Sequence, residues 1–311
     1  MKLLFNYNDQ GQTELKTTLG FLNADFNYDN LQPDIKLNTP YLIDLISQEV
    51  YDKMVNYYQP ESGTPTPNED LDLAIEYSRL YIASMAYLDY APNNDMSHSN
   101  SGRSFRNEEN EKIPWQWQID SDNAAIAERA YKALDRLFAL LDQTEWTEWT
   151  NSEAYKAANK LFIKDAITFD KSFSINRSAQ LFYRLVPFME DIETEYINPI
   201  ITDDLADTLR AVEEPDADQK KLLTLIKSAI AYFSLSKALQ SFPVQMFPQT
   251  LRYAYTEQNK LEEKDKTVMV MEAEGKKYVL KLENEYGRQT ETFTTLKTTN
   301  GLTEGKKYVN L

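Results

Sequence analysis

Few residues in this chain are of the types that do chemistry, and their spacing limits what they can do. The single histidine, His98, lies in the polar stretch Asn93–Arg106, NNDMSHSNSGRSFR. Ser97, Ser99 and Ser101 stand near it, but a serine–histidine pair also needs a carboxylate to orient the imidazole. The surrounding sequence supplies no context for one, so His98 reads as a solvated loop residue. Carboxylates are dense at Glu190-Asp191-Ile192-Glu193-Thr194-Glu195 and at Asp203-Asp204. A metal site would have to be built from these alone. EF-hand spacing is absent, and a charged helix face is the commoner origin of such runs. Zero cysteines remove disulfides, thiolate zinc sites and iron–sulfur clusters. No G-x-G-x-x-G, Walker, H-E-x-x-H or G-x-S-x-G pattern occurs, and eight glycines leave little for a phosphate cradle. The sequence therefore predicts a non-enzymatic protein with no cofactor and no metal.

Two further groups point to binding. Trp115/Trp117 and Trp146/Trp149 could form a stacking platform for sugars or bases, or plug a seam between halves of the protein. The seam is the expected role. Arg103 and Arg106, among polar neighbours, are candidate partner-binding residues for nucleic acid or an acidic protein surface, although plain solubility is the default for such a loop.

The elements that would carry these residues are mainly helical. Leu71–Pro92, LDLAIEYSRLYIASMAYLDYAP, and Leu222–Pro243, LLTLIKSAIAYFSLSKALQSFP, are apolar at helical steps and also largely apolar on the opposite side. Such helices have to be wrapped by others. Each is expected to be the centre of its own bundle. Laid over each other they match at Leu71/Leu222, Ile75/Ile226, Tyr81/Tyr232, Leu88/Leu239 and Pro92/Pro243. Upstream, Tyr41–Met54 pairs with Tyr196–Leu209, matching Tyr41/Tyr196, Ile46/Ile201 and Asp52/Asp207. The shared order and spacing predict two similar tandem helical domains, residues 1–145 and 146–260, joined near Thr144–Ser152.

Local signals add detail. A short strand at Leu3–Phe5 and a helix near Thr13–Leu22 are expected first. A helix from about Leu31 or Thr39 to Tyr58 follows, with Thr39-Pro40 as a good cap and first turn. Pro92 should stop the first central helix, leaving Asn93–Arg106 as a loop. Ser121/Asp122 should cap a helix running to Leu141, and Glu153–Phe169 should form another. Beyond residue 260 the pattern changes: Thr267–Ala273, the turn Glu274-Gly275 and Lys276–Leu282 read as a β-hairpin. Thr292–Lys297 adds a possible strand, and EGKKYV recurs at Glu304–Val309. Residues 261–311 are thus expected to form a β-rich arm whose strand edges, at Tyr278 and Val279, meet a neighbouring chain.

Composition bounds the rest. A hydrophobic content of 42% is ample for a core, and no unbroken apolar run approaches transmembrane length. The opening MKLLFNYNDQ has too short an apolar patch for a secretory leader. A net charge of −16 argues against a general nucleic-acid binder, whose affinity comes from neutralising phosphates. It suits a passage that DNA must traverse without sticking.

Tyr196–Leu209, the acidic linker after it and Leu222–Pro248 together resemble head–tail connector (adaptor) proteins of tailed phages. The region from about residue 1 to 260, including YAPNND (Tyr90–Asp95) and RAYKALDRL (Arg129–Leu137), also resembles an uncharacterised family carried by phages and prophages of Bacteroides-type bacteria. The resemblance implies small helical domains assembled as a homo-oligomeric ring beneath the portal. It implies a structural virion protein made in the host cytoplasm, with portal and other neck or tail proteins as partners, DNA passing non-specifically and no membrane. The loop Asn93–Arg106 and the C-terminal arm would make the contacts. This chain departs from the usual connector in its greater length, its two copies and its β-tail. A cytosolic helical interaction protein unrelated to virions is the alternative. A sugar-binding surface protein using the tryptophans is weakened by the missing export signal.

Overall fold

A helix with apolar side chains on every flank is stable only when enclosed, and that requirement organises the chain. The computed structural model describes residues 1–100, 102–105, 114–243, 246–247 and 260–290. Their architecture is mainly helical. The first half contains α1 (Asn8–Leu19), α2 (Tyr28–Ile46), α3 (Gln48–Tyr58), α4 (Glu69–Asn94), a hairpin of β1 (Met96–Ser99) and β2 (Gly102–Phe105), and α5 (Gln116–Thr144). The helix α4 is the first enclosed rod, packed by α1, α2, α3 and α5. Small residues on it, including Ala74, Ser78, Ala83 and Ala86, are fully buried and let the neighbours approach closely. Its start is well specified. Asn68 Oδ1 accepts from the Leu71 amide at 3.0 Å, and Glu69, Asp70 and Asp72 complement the helix dipole.

The second half contains α6 (Thr147–Thr150), α7 (Glu153–Asn159), α8 (Ala166–Ser172), α9 (Ala179–Ile192) running into a π turn (Glu193–Ile197), α10 (Asp203–Ala211), α11 (Ala217–Ser241) and α12 (Lys260–Gln289). Here α11 is the enclosed rod, packed by α8, α9 and α12. By length and composition alone α11 could cross a membrane, yet 67% of its most apolar window is buried against these neighbours. Each rod thus has its own companions. Their interiors nevertheless run together where α5 packs on α9, and the buried side chains form one connected cluster from Leu3 to Leu282. Two separately sheathed interiors are not what the chain builds.

The expected C-terminal hairpin is overturned. Residues 260–289 are a single helix, antiparallel to α11: Ser236 faces Glu272, Tyr232 faces Tyr278, and Asp218 faces Arg288. Val268, Met271 and Leu282 are buried while Met269 and Val270 stand exposed, a helical and not an alternating pattern. Gly275 is not a turn residue. A Cβ there would lie 2.8 Å from the Phe233 ring, so its role is close helix approach. Burial against α11 overrides the β propensity of the flanking valines and tyrosine. Thr292–Lys297 and Glu304–Val309 lie outside the described residues.

Other expectations shift for local reasons. Leu3–Phe5 is buried but forms no strand, and side chains take polar groups in and beside it: Arg79 Nε donates to Leu4 O and Tyr51 Oη to Lys2 O, while the Asn6 amide donates to Glu14 Oε2. The helix after it begins at Asn8, with Gly11 crossing close above the Asn6 carbonyl. Thr39-Pro40 does not start a helix, since α2 already runs from Tyr28 through both Pro33 and Pro40. Buried Thr39 instead donates its hydroxyl back to Ile35 O at 2.7 Å. The break comes at Ser47, whose φ of 83° ends α2 and whose hydroxyl caps α3. Pro92 sits inside the last turn of α4, where it forfeits a single backbone bond and does not stop the helix. Asn93–Arg106 carries the β1–β2 hairpin and is not wholly loop. The helix α5 starts at Gln116, ahead of Ser121/Asp122, with Gln118 Oε1 accepting from the Trp115 amide. Glu153–Phe169 is two helices, because Leu161, Phe162 and Ile163 turn into the core between them.

Replacing Gly275 with Val will force α12 away from Phe233 and lower stability by about 1–3 kcal/mol, the usual cost of overpacking. The urea midpoint of Gly275→Val against the parent chain checks this. An unchanged midpoint would contradict the close approach.

Candidate functional site

The seam between the halves begins with one aromatic cluster. Trp149 of α6 is fully buried, and its ring centroid lies 5.1 Å from Tyr183 of α9 and 5.6 Å from Phe138 of α5. Phe138 stacks on Tyr183 at 4.9 Å. One carboxylate locks the three elements: Asp142 Oδ1 accepts from Trp149 Nε1 at 2.9 Å and from the Tyr183 hydroxyl at 2.5 Å. A second carboxylate, Asp135 on the same helix, accepts from the Ser178 hydroxyl at 2.7 Å and the Gln180 amide at 2.9 Å, at the start of α9. Trp149 thus takes the seam role expected from sequence. Trp146 is partly buried against the core, with Lys53 over its ring. Trp115 and Trp117 do not: they are 73% and 67% exposed at the N-terminal end of α5.

Beside the seam lies an open cleft of about 870 Å³. Tyr77 and Leu80 of α4, Ala139 of α5 and Ile167 of α8 give it an apolar floor. Arg136 of α5 and Arg177, just before α9, stand at its edge, both exposed. Arg177 is held there by an unusual backbone. It and Asn176 both have φ of 55°, a left-handed conformation that non-glycine residues adopt rarely. Asp170 Oδ1 stabilises the turn by accepting from the Ile175 amide at 2.7 Å and the Arg177 amide at 3.2 Å. The cleft's carboxylates are largely spent inside the fold. Asp135 and Asp142 bind the seam, and Asp165 caps α8 through the Thr168 amide at 2.6 Å. A second cleft of similar size, between the α2–α3 junction and α6–α7, has acidic walls at Asp44, Glu49, Glu148 and Glu153.

The residues singled out from sequence scatter. Arg103 lies on β2 opposite His98 of β1, and Arg106 lies outside the described residues. Tyr278 and Val279 offer no strand edge. They sit on α12 half-buried against the core, with the Tyr278 ring stacked on Tyr232 at 5.6 Å. The carboxylates of Glu190–Glu195 diverge. Glu193 turns inward to accept from the Phe162 amide at 2.7 Å and to pair with Arg210 at 3.0 Å, whereas Asp191 pairs with Lys237 at 3.6 Å. No metal-binding cluster is present among the described residues. Sequence reading missed Arg136, Ile167 and Arg177, which come together only by tertiary packing. The available signal was Asn176, a residue type at home in left-handed turns, shortly before the capping Ser178.

Residues 7–159 match a protein family of unknown function, DUF6712. The match runs from just before α1 through α7, so it covers the first enclosed rod and stops short of the second. No curated protein and no solved structure matches the chain.

Burial raises the pKa of Asp135, Asp142 and Glu193, outweighing the hydrogen bonds that pull each downward and, at Asp135 and Glu193, the nearby Arg136 and Arg210. A folded pKa above the unfolded one means that the folded state binds protons more tightly. These groups therefore add stability as pH falls from neutrality toward the ordinary carboxylate range. Glu285, held down at about 2 chiefly by its hydrogen bond to Arg288, stays charged through that window. Thermal melts will rise on acidification from neutral pH, and Asp135→Asn, which keeps an acceptor, will flatten the rise. Asp142→Ala will cost about 1–3 kcal/mol for each donor left buried without a partner, measurable by urea unfolding.

Proposed function

We propose that this chain is a structural protein of a tailed phage or prophage virion, a head–tail connector in the neck that joins portal to tail and lines the DNA channel. On this reading it is built of two tandem copies of one helical unit and acts without catalysis. The observation that carries it is a recurring order of elements. In the first half a broken helix (α2, Ser47, α3), a polar linker and an enclosed rod (α4) are followed by a long antiparallel partner (α5). In the second, α9 with its π turn, α10, a short linker and α11 are followed by the long antiparallel α12. This order, added to the matches between the two rods, favours descent from a single unit. The resemblance to phage connectors supplies the expected assembly, a homo-oligomeric ring formed in the host cytoplasm.

The net charge of −16 supports a channel-lining role, since an acidic wall lets a polyanion slide by without condensing on it. The β1–β2 hairpin that carries Arg103, and the residues after 290, are assigned to contact portal and neighbouring subunits.

Electron microscopy of the purified chain, alone and with its portal protein, is expected to reveal rings. Compact monomers in both samples would overturn the assignment. The segment after residue 290 can be tested separately. Cutting at 260 would strip α12 from α11, so the informative truncation ends at residue 290. It is expected to keep the parent's helical circular dichroism and to assemble more weakly; undiminished assembly would remove that segment from the contact.

A further inference from the structure

Copies of a chain carrying −16 repel one another, so a self-contact is favoured where cations of one copy meet carboxylates of the next. The described surface has two unpartnered features that fit this need. One is the cleft beside the seam, with its apolar floor of Tyr77, Leu80 and Ile167 and the exposed Arg136 and Arg177 at its edge. Neither arginine makes an ion pair among the described residues. Ile167 is itself 55% exposed, a large aliphatic side chain without a cover. The other is the N-terminal end of α5, where Trp115 and Trp117 project into solvent beside the exposed carboxylates Asp120 and Asp122.

We propose that the tryptophan-bearing end of α5 in one copy inserts into this cleft in the next copy, a head-to-tail contact that builds the ring. The inference rests on the ring reading given above and assigns its interface. The chemistry is complementary on both counts. Indole rings fill an apolar floor and present π faces to guanidinium groups, while Asp120 and Asp122 meet Arg136 and Arg177. Tryptophan and arginine are also the side chains that most often dominate interface energetics. Geometry excludes the trivial alternative of self-occupancy. Gln116 and Arg136 lie on one continuous helix, about 30 Å apart at ~1.5 Å per residue, so a copy cannot fold this end into its own cleft. The contact joins two different surfaces, and repetition of such a contact closes a ring or continues as a helix. The left-handed turn at Asn176–Arg177 then has a purpose, because it holds Arg177 at the cleft edge before any neighbour arrives.

Two full-length variants test the contact by sedimentation velocity. Trp115→Ala/Trp117→Ala removes the inserting end, and Arg136→Glu/Arg177→Glu removes the receiving edge. All four positions are exposed, so both variants are expected to keep the parent's thermal melt and circular dichroism. Each should lose the concentration-dependent assembly of the parent chain. Mixed together, they should form a one-to-one dimer and nothing larger, because one intact end and one intact cleft remain in the pair. Persistence of parent-like assembly in either variant, or a mixture that stays monomeric, overturns the proposal. Rings that survive both pairs of substitutions leave the connector reading standing and remove only this interface. A parent chain that never assembles, even with portal protein, removes both.

Discussion

Two long helices that are apolar on all sides cannot face water, and the arrangement of the other elements follows from covering them. Among the described residues α1, α2, α3 and α5 cover α4, and α8, α9 and α12 cover α11. The close packing depends on small side chains at the contacts: Ala74, Ser78 and Ala86 on α4, Ala229, Ala231 and Ser234 on α11, and Gly275 on the partner of α11. Serines inside such a rod carry little penalty when they bond back to their own helix, as Ser234 does to Ile230 O at 2.7 Å. Each rod has its most extensive contact with the long antiparallel helix that follows it in the chain. The first helices are held by the same rod, since Arg79 of α4 lies over the Tyr58 ring of α3 at 4.2 Å and pairs with Glu14 of α1 at 3.3 Å.

Among the ties between the two halves are polar atoms set within apolar surroundings. Asp142 receives hydrogen bonds from both the indole and the phenol of the seam, and Asp135 receives two from the start of α9. Buried acceptors of this kind specify geometry, because any shift leaves a donor unsatisfied. They also redistribute charge. Carboxylates turned inward at the seam leave Arg136 and Arg177 at the surface, so a chain with an excess of acid presents a locally basic cleft there. Electrostatic contrast on one surface gives an acidic protein a means of recognising another acidic protein while repelling DNA elsewhere.

The rods, their all-round apolar character and the mainly helical class were legible in the residues of α4 and α11. Three- and four-residue spacing of apolar side chains is a local property, and burial is its direct consequence. The seam role of Trp149 was legible in part, as a bulky indole at the junction of two apolar regions. Elements whose backbone partners come from afar were not. Leu3–Phe5 has strand-like residues, but Arg79, distant in sequence, takes the Leu4 carbonyl, Tyr51 takes that of the preceding Lys2, and no ladder forms. Thr267–Leu282 has strand-like residues around Glu274-Gly275, but the neighbouring rod offers a long apolar flank, and a continuous helix covers it. Intrinsic preference for strand is worth a fraction of what that burial contributes, so the tertiary contact decided. The same holds for the cleft. Arg136, Ile167 and Arg177 come from α5, α8 and the turn before α9, and only the packing of α9 against both α5 and α8 brings them to one rim. Sequence by itself determined which surfaces had to be hidden, because hydrophobic periodicity is written residue by residue. The tertiary structure alone decided what hides them and which charges remain outside, because those depend on neighbours far along the chain.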